Sequence, residues 1–289
     1  MAPPPKILGI IGHPVSHSLS PVMQNAAIQY KSLNYVYVAF EVLPHLLGRA
    51  IRGIPGLGIS GVNVTVPHKE AVLPFLDRIS PEARFIGAVN TIVREKEELI
   101  GYNTDGIGFS RALAQEGNSS LAGKALLLLG AGGAARAVAA QAATEGAREL
   151  IIANRSLPRA QRLETDLLGK FPDLQCRSLP LDSTAIEPLL PTVDLLVNAT
   201  TRGMRPGDPP PVSLAGLPRH TMVYDLIYNP PVTELIRISR QRGNPALNGL
   251  GMLIYQGAAS FELWTGSAAP IDVMKKALEI ALGSPNAGD

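Results

Sequence analysis

Lys69 stands near the end of the stretch "GVNVTVPHKE" (residues 61–70), in which valines alternate with an amide and a hydroxyl until Pro67 stops the run. Alternate residues of a half-buried strand point to opposite faces. Val62, Val64 and Val66 are therefore expected to face a core, and Asn63 and Thr65 the other side. A lysine beside such a polar face has a definite chemistry. As an ammonium it donates a proton to a developing alkoxide, and as a neutral amine it takes that proton back. Groups of matching kind recur nearby: Ser16 and Ser18 in "GHPVSHSLSP", Asn90 in "GAVNTI", and Asp105 in "GYNTDGIGF", where a helix begins. They form no metal-ligand set. Together they suit a small, hydroxyl-rich acid.

A second constellation lies in "LLLLGAGGAAR", a buried-strand run followed by Gly130, Gly132 and Gly133 and then an alanine-rich helix. This is G-x-G-x-x-A with Ala135 in the third position. Gly130 permits the tight turn, Gly132 lets the backbone approach a pyrophosphate, and a small residue at 135 lets helix and strand pack closely. The helix start offers free N–H groups and partial positive charge to phosphates. The strand–turn–helix context is the one this motif requires. An NAD site places an acid about 20 residues on, against the ribose 2′-hydroxyl. Here that place reads "IIANRSLPRA", with Asn154, Arg155, Ser156 and Arg159 and no acid. Guanidinium groups grip a 2′-phosphate that a carboxylate would repel. NADP is expected over NAD. A nicotinamide cofactor exchanges hydride with a carbonyl or alcohol carbon, which calls for the proton donor that the first constellation offers.

These residues need elements to hold them. Short β-rich runs at 6–12, 35–40, 59–66, 124–129, 149–153, 193–197 and 221–224 alternate with helical patterns. Such alternation argues for βαβ units and parallel sheets. Residues 88–94 and 99–102, joined by the turn "EKEE", read as a hairpin. Ser20-Pro21 reads as a cap followed by proline at the first helical position, and Pro231 and Pro270 as the same device. A new helix near Thr104 marks a boundary, and the composition shifts at Gly123. The expected fold is α/β with two domains. Residues 1–104, completed by the C-terminal helices over 252–289, would form one, and a Rossmann-like unit over 105–251 the other. The stretch "RPGDPPPVS" (205–213) reads as a stiff surface loop.

The bulk numbers exclude several classes. The 289 residues are 46% hydrophobic and 17% charged, enough apolar material for full cores and too little charge for disorder. A net charge of +2 gives no case for nucleic acid or a membrane surface. No run of 18 apolar residues exists to cross a membrane. The opening "MAPPPKILGIIGHP" reads as a first strand rather than a signal peptide. The single Cys176 excludes an intrachain disulfide, and the five histidines show no metal spacing. A cytoplasmic, metal-free protein is expected.

Taken together the motifs resemble the shikimate dehydrogenase family over nearly the whole chain. "SHSLSP", "GVNVTVPHKE", "IGAVNTI", "GYNTDGIGF", "GAGGAAR", "NRSLPRA", "NATTRGM", "YDLIYNPPVT" and "NGLGMLIYQGA" fall in the family's order. The resemblance implies NADP as cofactor and the interconversion of 3-dehydroshikimate and shikimate in aromatic amino-acid biosynthesis. It further implies that Ser16 and Ser18 hold the substrate carboxylate. Asn63, Thr65, Asn90, Asp105 and Gln256 would hold its ring hydroxyls or carbonyl region, with Tyr228 nearby. Lys69 and Asp105 would be the catalytic pair. Gly130, Ala131, Gly132, Gly133, Ala134, Asn154, Arg155, Ser156, Arg159, Leu226 and Gly249 would contact the cofactor.

Plainer roles stand beside these. Ser16 and Ser18 also suit turn or cap residues, Asp105 a helix cap, Asn90 and Gln256 buried amides, and Tyr228 ordinary packing. His13, His17 and His68 carry no assigned chemistry, and Cys176 reads as a structural thiol. Ser156, Leu226 and Arg202 depart from the family pattern, where threonine is frequent at the first and methionine at the second. A quinate/shikimate enzyme using NAD, a folate-type dehydrogenase/cyclohydrolase and a non-catalytic sensor of shikimate-like acids are the alternatives. The oligomeric state is left open, a homodimer included.

Overall fold

The computed structural model describes residues 3–205 and 207–283. Pro206, within the expected surface loop, and the extreme ends of the expected first domain lie outside the described residues. Along the chain run β1 (Lys6–Gly12), α1 (Ser20–Tyr30), β2 (Tyr35–Glu41), α2 (Leu47–Gly56), β3 (Ile59–Val64), β4 (Arg78–Ile79), α3 (Pro81–Ile86), β5 (Thr91–Glu95) and β6 (Glu98–Tyr102). There follow α4 (Asp105–Gly117), β7 (Ala125–Leu129), α5 (Gly133–Thr144), β8 (Glu149–Asn154), α6 (Leu157–Lys170), β9 (Gln175–Pro180) and α7 (Ser183–Ile186). The chain ends with β10 (Leu195–Asn198), β11 (Met222–Asp225), α8 (Glu234–Arg242), β12 (Ala246–Leu247), α9 (Leu250–Thr265) and α10 (Ile271–Ala281). These elements form two compact units, residues 1–104 with 254–289 and residues 105–253. Among the described residues no helix is long and apolar enough to cross a membrane.

The second unit has one sheet, in the order β12-β11-β10-β7-β8-β9, with every pair parallel. Counted from β7, this is the Rossmann order 3-2-1-4-5-6 read from its far edge, with the direction of winding reversing between β7 and β10. Every residue of β7, "ALLLL", is buried. A strand covered by helices on both faces needs such an uninterrupted apolar run. Gly106 lets α4 lie close to α5, because a Cβ there would stand 2.9 Å from the Ala137 carbonyl oxygen.

The first unit has a mixed sheet in the order β2-β1-β3-β5-β6-β4. β1 pairs parallel with β2 and β3, while β3–β5 and the β5–β6 hairpin are antiparallel. Val62 and Val64 join Ile51 and Ile54 of α2 in one buried cluster. The other face of β3 is buried too, since Asn63 is only 5% exposed. Val66 does not follow its sister valines. It is 64% exposed, because β3 ends at Val64 and the chain turns away. The alternation rule holds only while a residue stays in the ladder.

The proline devices differ from expectation in detail. Ser20 is the first residue of α1 rather than its cap, and its N–H donates to the Ser18 hydroxyl at 3.3 Å. Pro231 precedes the real cap of α8, Thr233, whose hydroxyl accepts from Ile236 N–H. Pro270 itself occupies the cap position of α10.

In the first unit α9 lies on the sheet through Trp264, whose indole N–H donates to the Ile92 carbonyl at 3.0 Å. Gly61 makes room for that ring. A Cβ at 61 would overlap Trp264 and stand 2.7 Å from the Ile92 carbonyl oxygen. Gly61→Ala is therefore expected to lower stability by about 1–3 kcal/mol, the range for forced overpacking. Chemical denaturation of the variant checks this, and a wild-type midpoint would contradict the contact.

Candidate active site

Four hydrogen bonds fix the turn that carries Lys69. Thr65 N–H donates to Ile11 O at 2.9 Å, and His68 N–H donates to Thr65 O at 2.9 Å. The Lys69 carbonyl then accepts from Val89 N–H at 2.8 Å, which sets Lys69 beside the residue preceding Asn90. The fourth is the ring of buried His68, whose Nε2 lies 2.7 Å from Val42 O. A carbonyl can only accept, so Nε2 carries the hydrogen. His68, given no role from sequence, anchors the loop that presents its neighbour. Gly12 permits the close approach, since a Cβ there would stand 2.5 Å from the Thr65 methyl.

Behind this turn runs a buried polar seam. The backbone N–H of Thr104 donates to Asn90 Oδ1 at 2.8 Å, which fixes which end of the amide is oxygen. The Asn90 amide hydrogens must then point to Thr104 Oγ1 at 2.9 Å and Gln256 Oε1 at 3.3 Å. Asn63 is oriented in the same way. Its Nδ2 faces the Asn90 carbonyl at 3.1 Å, with Thr91 Oγ1 at 3.1 Å and Ser260 Oγ at 3.0 Å as further acceptors. Its Oδ1 accepts from Tyr37 OH at 2.7 Å. Both Asn63 amide hydrogens are thus used inside the protein. Burial pushes the Tyr37 phenol well above its ordinary value, against a weaker opposing bond from Ser20, so it stays a donor.

α9 meets the seam with a stripe at helical spacing. Gln256 reaches Asn90, Ser260 lies 2.7 Å from Thr91 Oγ1, and Trp264 bonds Ile92. Successive turns of the helix thus engage successive residues of the strand region. Gln256 was expected from the family resemblance, whereas Ser260 was not. The signal that would have found it is the i, i+4, i+8 repeat of polar and aromatic residues in "YQGAASFELWT".

The first unit therefore holds Ser16, Ser18, Asn63, Thr65, Lys69, Asn90 and Gln256, with Ser16 exposed and Ser18 half-buried. The second unit holds Asp105, Tyr228 and the residues expected to touch cofactor. Asp105 is buried and opens α4. Burial raises the Tyr228 phenol, which keeps its proton available to donate.

The glycines of the second unit differ in what they require. Gly130 has φ +116°, and a Cβ there would stand 2.9 Å from the Ala199 carbonyl oxygen at the end of β10. The fold itself demands glycine at this position. Gly132 has an ordinary φ of −92°, and nothing lies within 4 Å of where its Cβ would be. The fold makes no such demand here, and the open space lies at the N-terminus of α5, which no side chain caps. An open helix N-terminus of this kind could hold a pyrophosphate. At the end of β8, Asn154 Nδ2 donates to Ser156 O at 2.9 Å, and Arg155 and Arg159 are exposed. Gly249 packs so tightly against the Leu226 carbonyl that any Cβ would overlap it.

Asp225 is a residue to which sequence reasoning gave no role. It is fully buried and accepts from Thr233 Oγ1 at 2.6 Å, Asn198 Nδ2 at 2.9 Å and Ile227 N at 3.2 Å. Burial raises its carboxyl, while those three donors hold the shift in check. It ties the segment carrying Leu226 and Tyr228 to the start of α8.

A chain with one unit built on a Rossmann sheet with an open glycine turn, and another α/β unit bearing an amide-rich site and a lysine, falls in a class of two-unit dinucleotide-binding α/β proteins. Comparison with known proteins narrows the class. Residues 10–92 match the shikimate dehydrogenase substrate binding domain, 112–203 the shikimate/quinate 5-dehydrogenase model, and 249–279 the shikimate 5′-dehydrogenase C-terminal domain. The chain is 49% identical over 274 residues to shikimate dehydrogenase (NADP⁺) of Methanopyrus kandleri, covering 94% of each chain. A solved shikimate dehydrogenase in complex with NADP⁺ aligns at TM-score 0.89 and 44% identity, over 96% of both chains. Shikimate 5-dehydrogenase from Thermus thermophilus, solved with NADP(H) and shikimate, aligns at TM-score 0.85 and 36% identity, over 96% of this chain and all (100%) of that one. The chain belongs to the shikimate dehydrogenase family.

The two glycines yield opposite expectations. Gly132→Ala should leave stability within about 0.5 kcal/mol of wild type and weaken dinucleotide binding. Gly130→Ala should cost about 1–3 kcal/mol of stability through its strained backbone. Melting curves and dinucleotide titrations of both variants check the pair. Tight binding retained by Gly132→Ala would contradict the assigned use of the open space.

Proposed function

We propose that this chain catalyses the reversible, NADP-dependent reduction of 3-dehydroshikimate to shikimate, in the cytoplasm, as a step of aromatic amino-acid biosynthesis. The observation that carries the reading is the Asn90 amide, locked by the Thr104 N–H with its hydrogens toward Gln256, beside the anchored turn of Lys69. Oriented neutral donors and acceptors next to one amine suit a small acid with ring hydroxyls. The relatives named for NADP and shikimate support the same choice.

Ser16 and Ser18 bind the substrate carboxylate. Thr65, Asn90 and Gln256 hold the ring hydroxyls and carbonyl region, with Asn63 behind them and Tyr228 as a further donor. Lys69 and Asp105 form the catalytic pair. In reduction the carbonyl carbon gains hydride, the C=O π electrons move to oxygen, and that oxygen takes a proton from the Lys69 ammonium. In oxidation the neutral amine removes the hydroxyl proton as hydride leaves the carbon. Asp105, at the N-terminus of α4, orients both the hydroxyl and the lysine.

NADP, when bound, supplies or accepts the hydride. Residues of the second unit hold it: the 130–134 turn takes the pyrophosphate, Arg155 and Arg159 the 2′-phosphate, Asn154 and Ser156 the adenosine ribose side, and Leu226 and Gly249 the nicotinamide side. No acid stands among residues 154–159 to bind an NAD ribose instead.

Lys69→Ala is expected to lose about 10²–10⁴-fold in kcat, with a smaller change in KM, as removal of an acid–base group does. Steady-state kinetics decide it, and near wild-type kcat would falsify the acid–base role. Paired Arg155→Glu and Arg159→Glu changes should shift preference from NADP toward NAD. Comparing KM for the two dinucleotides checks this, and an unmoved ratio would remove the arginines from the site.

A further inference from the structure

Ser260 is fully buried on α9 and belongs to no motif that carries the proposed reaction. Four polar partners converge on its hydroxyl. Thr91 Oγ1 lies at 2.7 Å, Asn63 Nδ2 at 3.0 Å, Gln256 O at 3.0 Å and Thr104 Oγ1 at 3.3 Å. Ser260 carries one hydrogen, for which the Gln256 carbonyl and the Thr91 oxygen are the acceptors, and its oxygen accepts from Asn63 Nδ2. The rest of the seam runs in series. Ser20 bonds the Tyr37 phenol oxygen, and Tyr37 donates to Asn63 Oδ1. Asn63 donates to the Asn90 carbonyl and toward Ser260 and Thr91. Thr91 lies opposite Asn63 across the β3–β5 ladder and 3.0 Å from Asn90 Oδ1.

Backbone groups anchor this chain: the Thr104 N–H and the Asn90 carbonyl orient the Asn90 and Asn63 amides, and the Gln256 carbonyl faces the Ser260 hydroxyl. A buried network that is fully paired is rigid, and removing one member leaves its partners unpaired in a low dielectric.

We infer that Ser260 is a positioning residue for substrate binding: with Tyr37 and Thr91 it holds the Asn90 and Gln256 amides in the one orientation that presents them to a hydroxylated ring acid, while touching no substrate itself. This rests on the shikimate reading for its substrate and on the hydrogen-bond geometry for its mechanism.

Two substitutions in the full chain test it. Ser260→Ala deletes the junction, and Tyr37→Phe deletes one hydroxyl while keeping the ring against Trp264, 6.0 Å away between centroids. Three quantities are measured for each: KM for shikimate, KM for NADP⁺, and hydrogen exchange of the Asn90 and Gln256 side-chain amides by NMR without substrate. Ser260→Ala should raise shikimate KM about tenfold, the effect of one lost buried hydrogen bond, with NADP⁺ KM unchanged. Tyr37→Phe should move the same constant in the same direction, and in both variants the Asn90 amide should exchange faster. Lowered melting temperature with an unchanged shikimate KM would reduce Ser260 to a structural residue and overturn the inference. Should Ser260→Ala not fold, Tyr37→Phe alone decides. If wild-type enzyme does not turn over shikimate, the proposed function falls instead. The exchange measurement still judges the positioning claim, and unaltered Asn90 exchange in both variants would sink it.

Discussion

One backbone hydrogen bond, from Thr104 N–H to Asn90 Oδ1 at 2.8 Å, sets the polarity of the amide at the centre of the seam. An amide side chain can face either way, and only an unambiguous donor or acceptor settles which. With Asn90 settled, its amide hydrogens face Thr104 and Gln256 and its oxygen accepts from Thr91, while its main-chain carbonyl orients Asn63, which accepts from Tyr37. The seam has to be complete to be tolerable, because any one of these groups left unpaired would cost roughly 1–3 kcal/mol in the interior. Completeness also makes it specific. A core of the same volume filled with apolar side chains would hold β3, β5 and α9 together but would present no directed amides beside Lys69.

The second unit solves a different problem with different means. Its task is to bring backbone close to a charged ligand without burying that charge, and the means are absences. Glycine at 130 tolerates a left-handed turn against Ala199, glycine at 132 leaves an empty volume above a helix N-terminus, and glycine at 249 accommodates the Leu226 carbonyl. Asp225 provides the rigidity that such small residues cannot, by joining the ends of β10 and β11 to the cap of α8.

Much of this was legible in the sequence. The "GAGGAAR" loop sits between β7 and α5 as its pattern required, and the hairpin was placed correctly around "EKEE" although its first strand starts at Thr91, three residues late. What could not be read was whatever depends on a partner distant in sequence. The valine alternation implied a buried Val66, but the ladder ends two residues earlier. Strands β4, β9 and β12 have no strong pattern of their own and exist because a neighbour offers hydrogen bonds. His68 looked idle because its partner, Val42, lies 26 residues away. Ser260 looked idle because its partners Asn63 and Thr91 lie 197 and 169 residues away. Motif spacing reports local geometry, and the seam is made almost wholly of non-local contacts.

The proposed shikimate–NADP oxidoreduction needs a directed set of amides and one amine. The most direct measurement follows reduced-nicotinamide absorbance in purified wild-type protein offered shikimate or quinate, each with NADP⁺ or NAD⁺. Turnover strongest with shikimate and NADP⁺ is the predicted result. No absorbance change with any of the four pairs, or a preference for quinate with NAD⁺, would contradict it.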